Sequence, residues 1–540
     1  MADIQAFING RIYITSGPKA QTADFAECMV ISGSTILHVG SEHDQITQTA
    51  IDNGAEVTDL KNKIVVPGFI DGHTHFLYFG ISLRKLDLSE CKSLAELRQS
   101  IEKYAKAHPE APRILCRGWH QPSTGREALA TQLDDLDPRP IFVEALDVHS
   151  TWCNTAALNE LGLDELDQEW GDQIQRDENG RPSGLLAEGA QTQIIWPYLN
   201  GIYTEEEKQD ALDEAFEAYN SNGYTGAIDM AMDGNAWEAL QLSRKRHGRL
   251  PIHVAAHWFI PHGGTSEDLN RRIDEAIAMH QKWHPSKGPD FCIVGIKLIS
   301  DGVVDGCTAA LTQPYPDHND IVQPLWPKEA MDLAVSRAAK AGLQVAVHAI
   351  GDAAIAQAVS AIADANTSGG RHRIEHLELA SEEDSKRLGH LGIIASVQPV
   401  HSDPALVKDY SGLVGPRLWK RAFPYKEFLE TDACVAFGTD APTARHLPLP
   451  NLYNATTRRS ATAPSMTEQT NVQQAFTLSQ AFHAATAGAA YSRFAESWTG
   501  SLKKGMRADF VVLESGWTAE SLLEAKVEQT WSGGKKLYQL

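Results

Sequence analysis

A His-x-His pair closes an apolar run early in the chain, Val65-Val-Pro-Gly-Phe-Ile-Asp-Gly-His73-Thr-His75. Residues two apart on a strand point to the same side, so both imidazoles can reach one metal ion from a single strand end. Neutral imidazole is the commonest protein metal ligand. Four further segments end in a similar way: Lys297, His348, His376 and Asp440 each lie at or near the C-terminal end of an apolar run. Singly, most have a plain structural explanation. A lone buried histidine is usually a hydrogen-bonded core residue, and an aspartate after Gly-Thr is commonly a turn or helix cap. Lys297 is harder to explain that way, because an unpaired ammonium inside an apolar strand is costly. The recurrence favours a metal site. Two pairs of imidazoles and a carboxylate can hold one or two divalent ions with room for water. No thiol cluster accompanies them, which argues against a closed structural zinc site.

The elements that must position these residues alternate. Strands are expected over 64–71, 225–230, 252–258, 292–299, 344–348, 373–377, 394–398 and 435–439. Amphipathic helices are expected over 205–221, 266–282, 327–341, 352–363 and 381–391. Eight β-then-α units are the signature of a (β/α)8 TIM-like barrel, whose functional residues sit on the C-terminal rim. A doubly wound sheet is the alternative, but it does not explain why reactive residues recur at strand ends around the whole set.

The two ends of the chain read differently. Short strands are expected over 6–15, 28–32, 35–39 and 56–59, with Gly and Asn between them. The style returns at 508–513 and 527–531, followed by a hairpin over 532–538. Both termini are expected to pair into one small β-sandwich domain (1–66 and 495–540) around a barrel at 67–494. Residues 84–200 interrupt the alternation after strand 1, with strands at 113–119 and 140–146 and a hairpin or loop over 172–182. They read as an inserted subdomain near the barrel mouth, where long βα loops carry substrate contacts.

A formal charge of −22 argues against a nucleic-acid partner. No apolar stretch is long enough to span a bilayer, and the N-terminal residues lack a secretory pattern. Seven cysteines, an odd number without Cys-x-x-Cys, fit a reduced cytoplasmic protein.

The opening run through His73 and His75 resembles the first motif of the amidohydrolase superfamily of metal-dependent hydrolases. Gly500-Ser-Leu-Lys-Lys-Gly-Met-Arg-Ala-Asp509 resembles its closing motif. Within that superfamily the chain is similar to the branch of N-substituted formamide deformylase. The similarity runs through Gly118-Trp119, Asp147-Val-His149-Ser-Thr-Trp152-Cys-Asn154, Gly184-Leu-Leu-Ala-Glu188 and Lys297-Leu-Ile-Ser-Asp301-Gly302. The resemblance implies ligand roles. His73 and His75 would bind the more buried ion, and His348 and His376 the more exposed one. Lys297 would be carboxylated by carbon dioxide and bridge the two, which also removes the cost of a buried ammonium. Asp440 would contact the buried ion and the water, accept a proton and pass it to the leaving nitrogen. The divalent metal is expected to be zinc, with manganese or iron as alternatives, and the enzyme a homodimer.

The activity expected is hydrolysis of a non-peptide carbon–nitrogen bond (amide, formamide or cyclic amide) in a small molecule. Deamination, ester or lactone hydrolysis, or a lyase step are alternatives on the same ligands. A catalytically silent scaffold is a third reading, against which all six candidate ligands are present. Trp119, His149, Trp152 and Glu188 are the expected substrate contacts. Trp119 and Trp152 offer flat apolar surfaces, His149 an oxyanion donor. His120, His401 and His446 are further candidates to line the mouth.

Overall fold

The computed structural model describes residues 4–14, 17–125, 127–163, 171, 173–317, 319–365, 367 and 369–540. Residue 15 of the first expected strand, and residue 172 and part of the expected insertion (126 and 164–170), lie outside the described residues.

Eight parallel strands form the central sheet: β1 (Phe69–Thr74), β2 (Tyr224–Met232), β3 (His253–Phe259), β4 (Phe291–Ile299), β5 (Gln344–Ala349), β6 (Arg373–His376), β7 (Ile394–Val397) and β8 (Val435–Phe437). Each pairs with the next in chain order. An isolated parallel bridge between Thr74 and Ala441 joins the two ends, so the sheet is nearly closed into a barrel. Strands β4 and β5 are buried at every position, as parallel strands covered on both faces must be.

The helices that cover the sheet include Gly234–His247, not expected from sequence, and five that were: Glu205–Ser221, Ser266–Lys282, Lys328–Lys340, Asp352–Ala365 and Glu382–Leu391. These five fall within two residues of the expected bounds. The first two start with capping boxes, Thr204 with Glu207 and Thr265 with Asp268. Each box satisfies two backbone N–H groups that the helix itself cannot. The inner faces of these helices, with Leu212, Phe216, Ile273 and Ile355, join strand residues Ile293, Val345 and Ile374 in one core. Burying such a side chain contributes about 1.5–3 kcal/mol.

Two further sheets form outside the barrel, the first from the N-terminal residues alone and the second from both ends of the chain. One runs Thr35–Gly40, Cys28–Ser32, Ile4–Ile8, Glu56–Asp59. The other runs Lys535–Gln539, Lys526–Ser532, Phe510–Glu514, Ile64–Pro67, Arg11–Ile14, Asp24–Ala26. Phe7 and Ile31 of the first sheet share an apolar cluster with Val65, Phe510 and Trp531 of the second. The expected strand over 64–71 is therefore two strands in two sheets. The chain crosses between them at Gly68, where an added Cβ would lie 2.3 Å from the Thr225 hydroxyl. The expected strand over 6–15 also divides, because Asn9 turns the chain with φ 52.

After β1 a six-stranded sheet interrupts the alternation, in the order Ile174–Arg176, Pro182–Ala187, Ser150–Cys153, Ile141–Ala145, Ile114–Trp119, Leu86–Asp87. Among the described residues no helix is long and apolar enough to cross a membrane. The seven cysteines form no disulfide among the described residues.

Candidate metal centre

The C-terminal ends of β1, β5, β6 and β8 bring His73, His75, His348, His376 and Asp440 together. Atoms of His73, His376 and Asp440 lie within 4.8 Å of one another, all three residues being buried. The approach of β8 to β1 requires Gly438, whose added Cβ would lie 2.4 Å from the His73 backbone nitrogen. There the Asp440 N–H donates to the His73 carbonyl at 2.7 Å. His376 and Asp440 both hold left-handed backbone, at φ 76 and 59. For residues with a side chain such geometry costs about 1–3 kcal/mol and collects at functional sites.

Hydrogen bonding fixes which imidazole nitrogens face inward. His73 Nδ1 lies 2.7 Å from Glu375 Oε2, and His75 Nδ1 lies 2.7 Å from the Met230 carbonyl. Both partners only accept, so both Nδ1 atoms carry the proton in the neutral ring. The lone pairs of the two Nε2 atoms then face the same oxygen, Asp440 Oδ1, at 3.2 and 3.1 Å. Two nitrogen lone pairs and a carboxylate oxygen repel unless a cation stands among them. The buried Nδ1 of His376 has no hydrogen-bond partner and lies 4.0 Å from Asp440 Oδ2. His348 directs Nε2 to the Gly302 carbonyl at 3.2 Å, and its ring lies 4.4 Å from that of His376. This donor set fits a divalent metal ion.

The groups behind the ligands were not expected from sequence. Arg373 grips Glu375 with two bonds of 2.6 and 3.1 Å, and also reaches the Gly72 carbonyl and the Ser396 hydroxyl. Burial alone would raise the Glu375 pKa, but Arg373 and His73 hold it well below the ordinary carboxylate range. Asp440 behaves likewise, held down against burial by His73, His75 and His376. Asp301 accepts the backbone N–H groups of Ala310, Ile350 and Gly351, and lies 3.5 Å from His348 Nε2. The sequence signal for such orienting groups was only their nearness to ligands, as in Arg373-Ile-Glu375-His376.

Lys297 is 2% exposed in the middle of β4, and burial pushes its pKa down to about 8, partly opposed by Glu375 and Asp440. It lies close enough to both carboxylates to feel their charge, while β4 holds it among apolar neighbours.

A cavity of about 90 Å3 opens on Asp440, His348 and His376. Trp119, His120, His149 and His401 line it. His149 Nδ1 pairs with Glu188 at 3.0 Å. Burial lowers the His149 pKa, but Glu188 more than compensates and brings it up to about 9. Trp152 does not line this cavity. It lies fully buried in the inserted sheet, donating from Nε1 to the Leu129 carbonyl, with its ring 5.4 Å from that of Trp119. His446 is not at the metal centre either; its ring packs on Phe79 and Tyr219.

The family model described as "Amidohydrolase family" matches residues 56–538. The chain is 28% identical to Protein LONG AFTER FAR-RED 3 of Arabidopsis thaliana, across 98% of this chain and 91% of that one. It is 25% identical to N-substituted formamide deformylase of Arthrobacter pascens, across 95% of each. Among solved structures, a metal-dependent hydrolase from Pyrococcus horikoshii superposes with a TM-score of 0.75 at 25% identity, covering 95% of this chain and 98% of the other.

Proposed function

The chain belongs to the amidohydrolase family of metal-dependent hydrolases, and from that premise we propose that it hydrolyses a non-peptide carbon–nitrogen bond in a small amide, formamide or cyclic amide. The observation that carries this reading is the pair of Nε2 lone pairs on His73 and His75 facing one oxygen of Asp440. The ligand set is His73, His75, Lys297, His348, His376 and Asp440, with Lys297 carboxylated. Zinc is the expected metal, ahead of manganese or iron. These residues would hold a divalent ion, which would supply Lewis acidity toward the substrate carbonyl and lower the pKa of water toward neutrality.

The chain's own residues do the rest. Asp440, kept ionised by the surrounding histidines, accepts the proton of the attacking water and delivers it to the leaving nitrogen. Glu188 holds His149 protonated, so its free N–H donates to the oxygen on which negative charge develops. Trp119 provides a flat apolar wall, and Trp152 acts from behind by packing on it. The products are a carboxylic acid and an amine. We further read residues 1–66 with 495–540 as a composite β-sandwich domain, 67–494 as the barrel and 84–200 as its insertion, and the enzyme as a cytoplasmic homodimer.

The test is a metal-loaded preparation assayed against formamides, acyl amides and lactones, with acid, amine and ammonia measured. Acid plus amine supports the reading; ammonia release favours deamination instead. Asp440→Asn is expected to retain metal in part and to lose about 10²–10⁴-fold in turnover. Wild-type turnover in that variant removes Asp440 from the mechanism.

A further inference from the structure

Beside the metal centre, the cavity wall has an uneven charge. Asp147, Asp305, Glu378 and Asp440 line it, and among the described residues no lysine or arginine does. Glu378 is 3% exposed, and its Oε2 has no hydrogen-bond partner. Its Oε1 lies 3.7 Å from His401 Nδ1, an ion-pair distance, so one oxygen faces an imidazole while the other is buried without a partner. A buried acceptor left open in this way costs about 1–3 kcal/mol, and such groups call for an explanation.

Asp147, Asp305 and Glu378 share this wall with Tyr410. Burial, and then the charge of these carboxylates, raises the Tyr410 pKa well above the ordinary value. Tyr410 and Trp119 are the aromatic members of the same wall. Carboxylates arranged around aromatic rings are a chemistry suited to a positively charged nitrogen.

We propose that the Asp147–Asp305–Glu378 end of the cavity, walled by Trp119 and Tyr410, binds a cationic nitrogen of the substrate, so that the preferred amide carries an ammonium or guanidinium group and not a carboxylate. The inference rests on the reading of this centre as an amide hydrolase and names its substrate class. The cation of that wall, His149, is already paired with Glu188, and Asp147, Asp305 and Glu378 line the cavity with it, so an anionic tail would meet more like charge than opposite charge. A neutral alkyl tail would leave the open Glu378 oxygen unpaired.

Three formamides of matched length test it: N-formylputrescine (cationic), N-pentylformamide (neutral) and N-formyl-γ-aminobutyrate (anionic). With metal-loaded enzyme, kcat/KM is expected to be at least about tenfold higher for the cationic than for the neutral compound, the worth of one charge-assisted hydrogen bond, and lowest for the anionic one. Asp305→Asn and Glu378→Gln should each pull the cationic-to-neutral ratio toward one. Equal rates, or a preference for the neutral or anionic compound, overturn the inference and leave the amide reading standing. If none of the three is hydrolysed, the formamide reading falls, and calorimetry decides the inference by itself. Putrescine binding at least about tenfold more tightly than butanediol, with the difference lost in Asp305→Asn, upholds it. Equal binding overturns it.

Discussion

The barrel carries buried histidines at both of its ends, and they do opposite things. At the C-terminal ends of the strands, His73 and His75 give one nitrogen to a fixed acceptor and turn the other toward Asp440. Toward the N-terminal ends, His372 accepts the Val345 N–H on Nδ1 at 3.0 Å and meets the Thr367 hydroxyl on Nε2 at 2.9 Å. His257 pairs with the Gln344 side chain at 2.8 Å and feels the positive charge of Arg373. Its Nδ1 has no partner, as His376 Nδ1 has none. The difference is what the open nitrogen faces. His376 looks toward a carboxylate and other imidazoles, whereas His257 is tied to the Gln344 amide among the mixed charges of Arg373, Glu375 and Lys297. Residue type is the same at the two ends, and His73 and His376 are as buried as His257 and His372; the second nitrogen's surroundings decide whether a histidine is a ligand or part of the core.

Substitution can break this contrast. The largest effect is expected from Glu375→Gln, which removes the anion that fixes the His73 proton and leaves Arg373 buried without its counter-charge. Loss of such an orienting partner costs about 10–100-fold in metal affinity, measurable by competition with a chelator. Removing one member of a buried ion pair costs about 3–5 kcal/mol of stability, measurable by denaturant unfolding.

Acid should distinguish the N-terminal end next. Burial depresses the His372 pKa to about 4. The unfolded chain therefore takes up protons at this site from about pH 6.5 downward while the folded chain resists. The contribution of neutral His372 is complete above about pH 6.5 and is lost as the pH falls toward 4, up to about 3 kcal/mol for a shift of that size. Unfolding free energies of the metal-free protein across this window should fall with pH, and less steeply in His372→Gln. The smallest effect belongs to His446→Phe. Its ring meets the Asn222 amide at 3.3 Å and the backbone of Ala218, so the loss should be about 1–2 kcal/mol, with metal content unchanged by elemental analysis.

Much of the barrel was legible because its parallel strands are apolar runs and its helices are amphipathic, both local signals. The candidate ligands were legible because a reactive residue ending such a run repeats along the chain. What local pattern could not convey was convergence. Nothing in Arg373-Ile-Glu375 announces that the arginine folds back onto the glutamate while the glutamate reaches His73 across three hundred positions. The left-handed backbone at His376 and Asp440 has no sequence mark, since neither is glycine. Trp152 looked like a substrate wall because an indole offers a flat apolar surface. It stands on the strand Ser150–Cys153 and fills the core of the inserted sheet instead. The apolar continuity of 64–71 concealed the crossing at Gly68 for a related reason: two strands buried in different sheets read as one.

That crossing bears on how the polypeptide is made. Ile64–Pro67, the stretch leading directly into β1, is bordered by Arg11–Ile14 on one side and by Phe510–Glu514 on the other. The second border is synthesised more than four hundred residues later. Throughout most of translation the nascent chain holds out an unpaired, apolar strand edge, the kind that recruits stray β-segments. Yield in a cell should therefore depend on chaperone supply, and trimming the segment around residue 510 should turn a soluble product into an aggregate even though no ligand of the metal centre is touched.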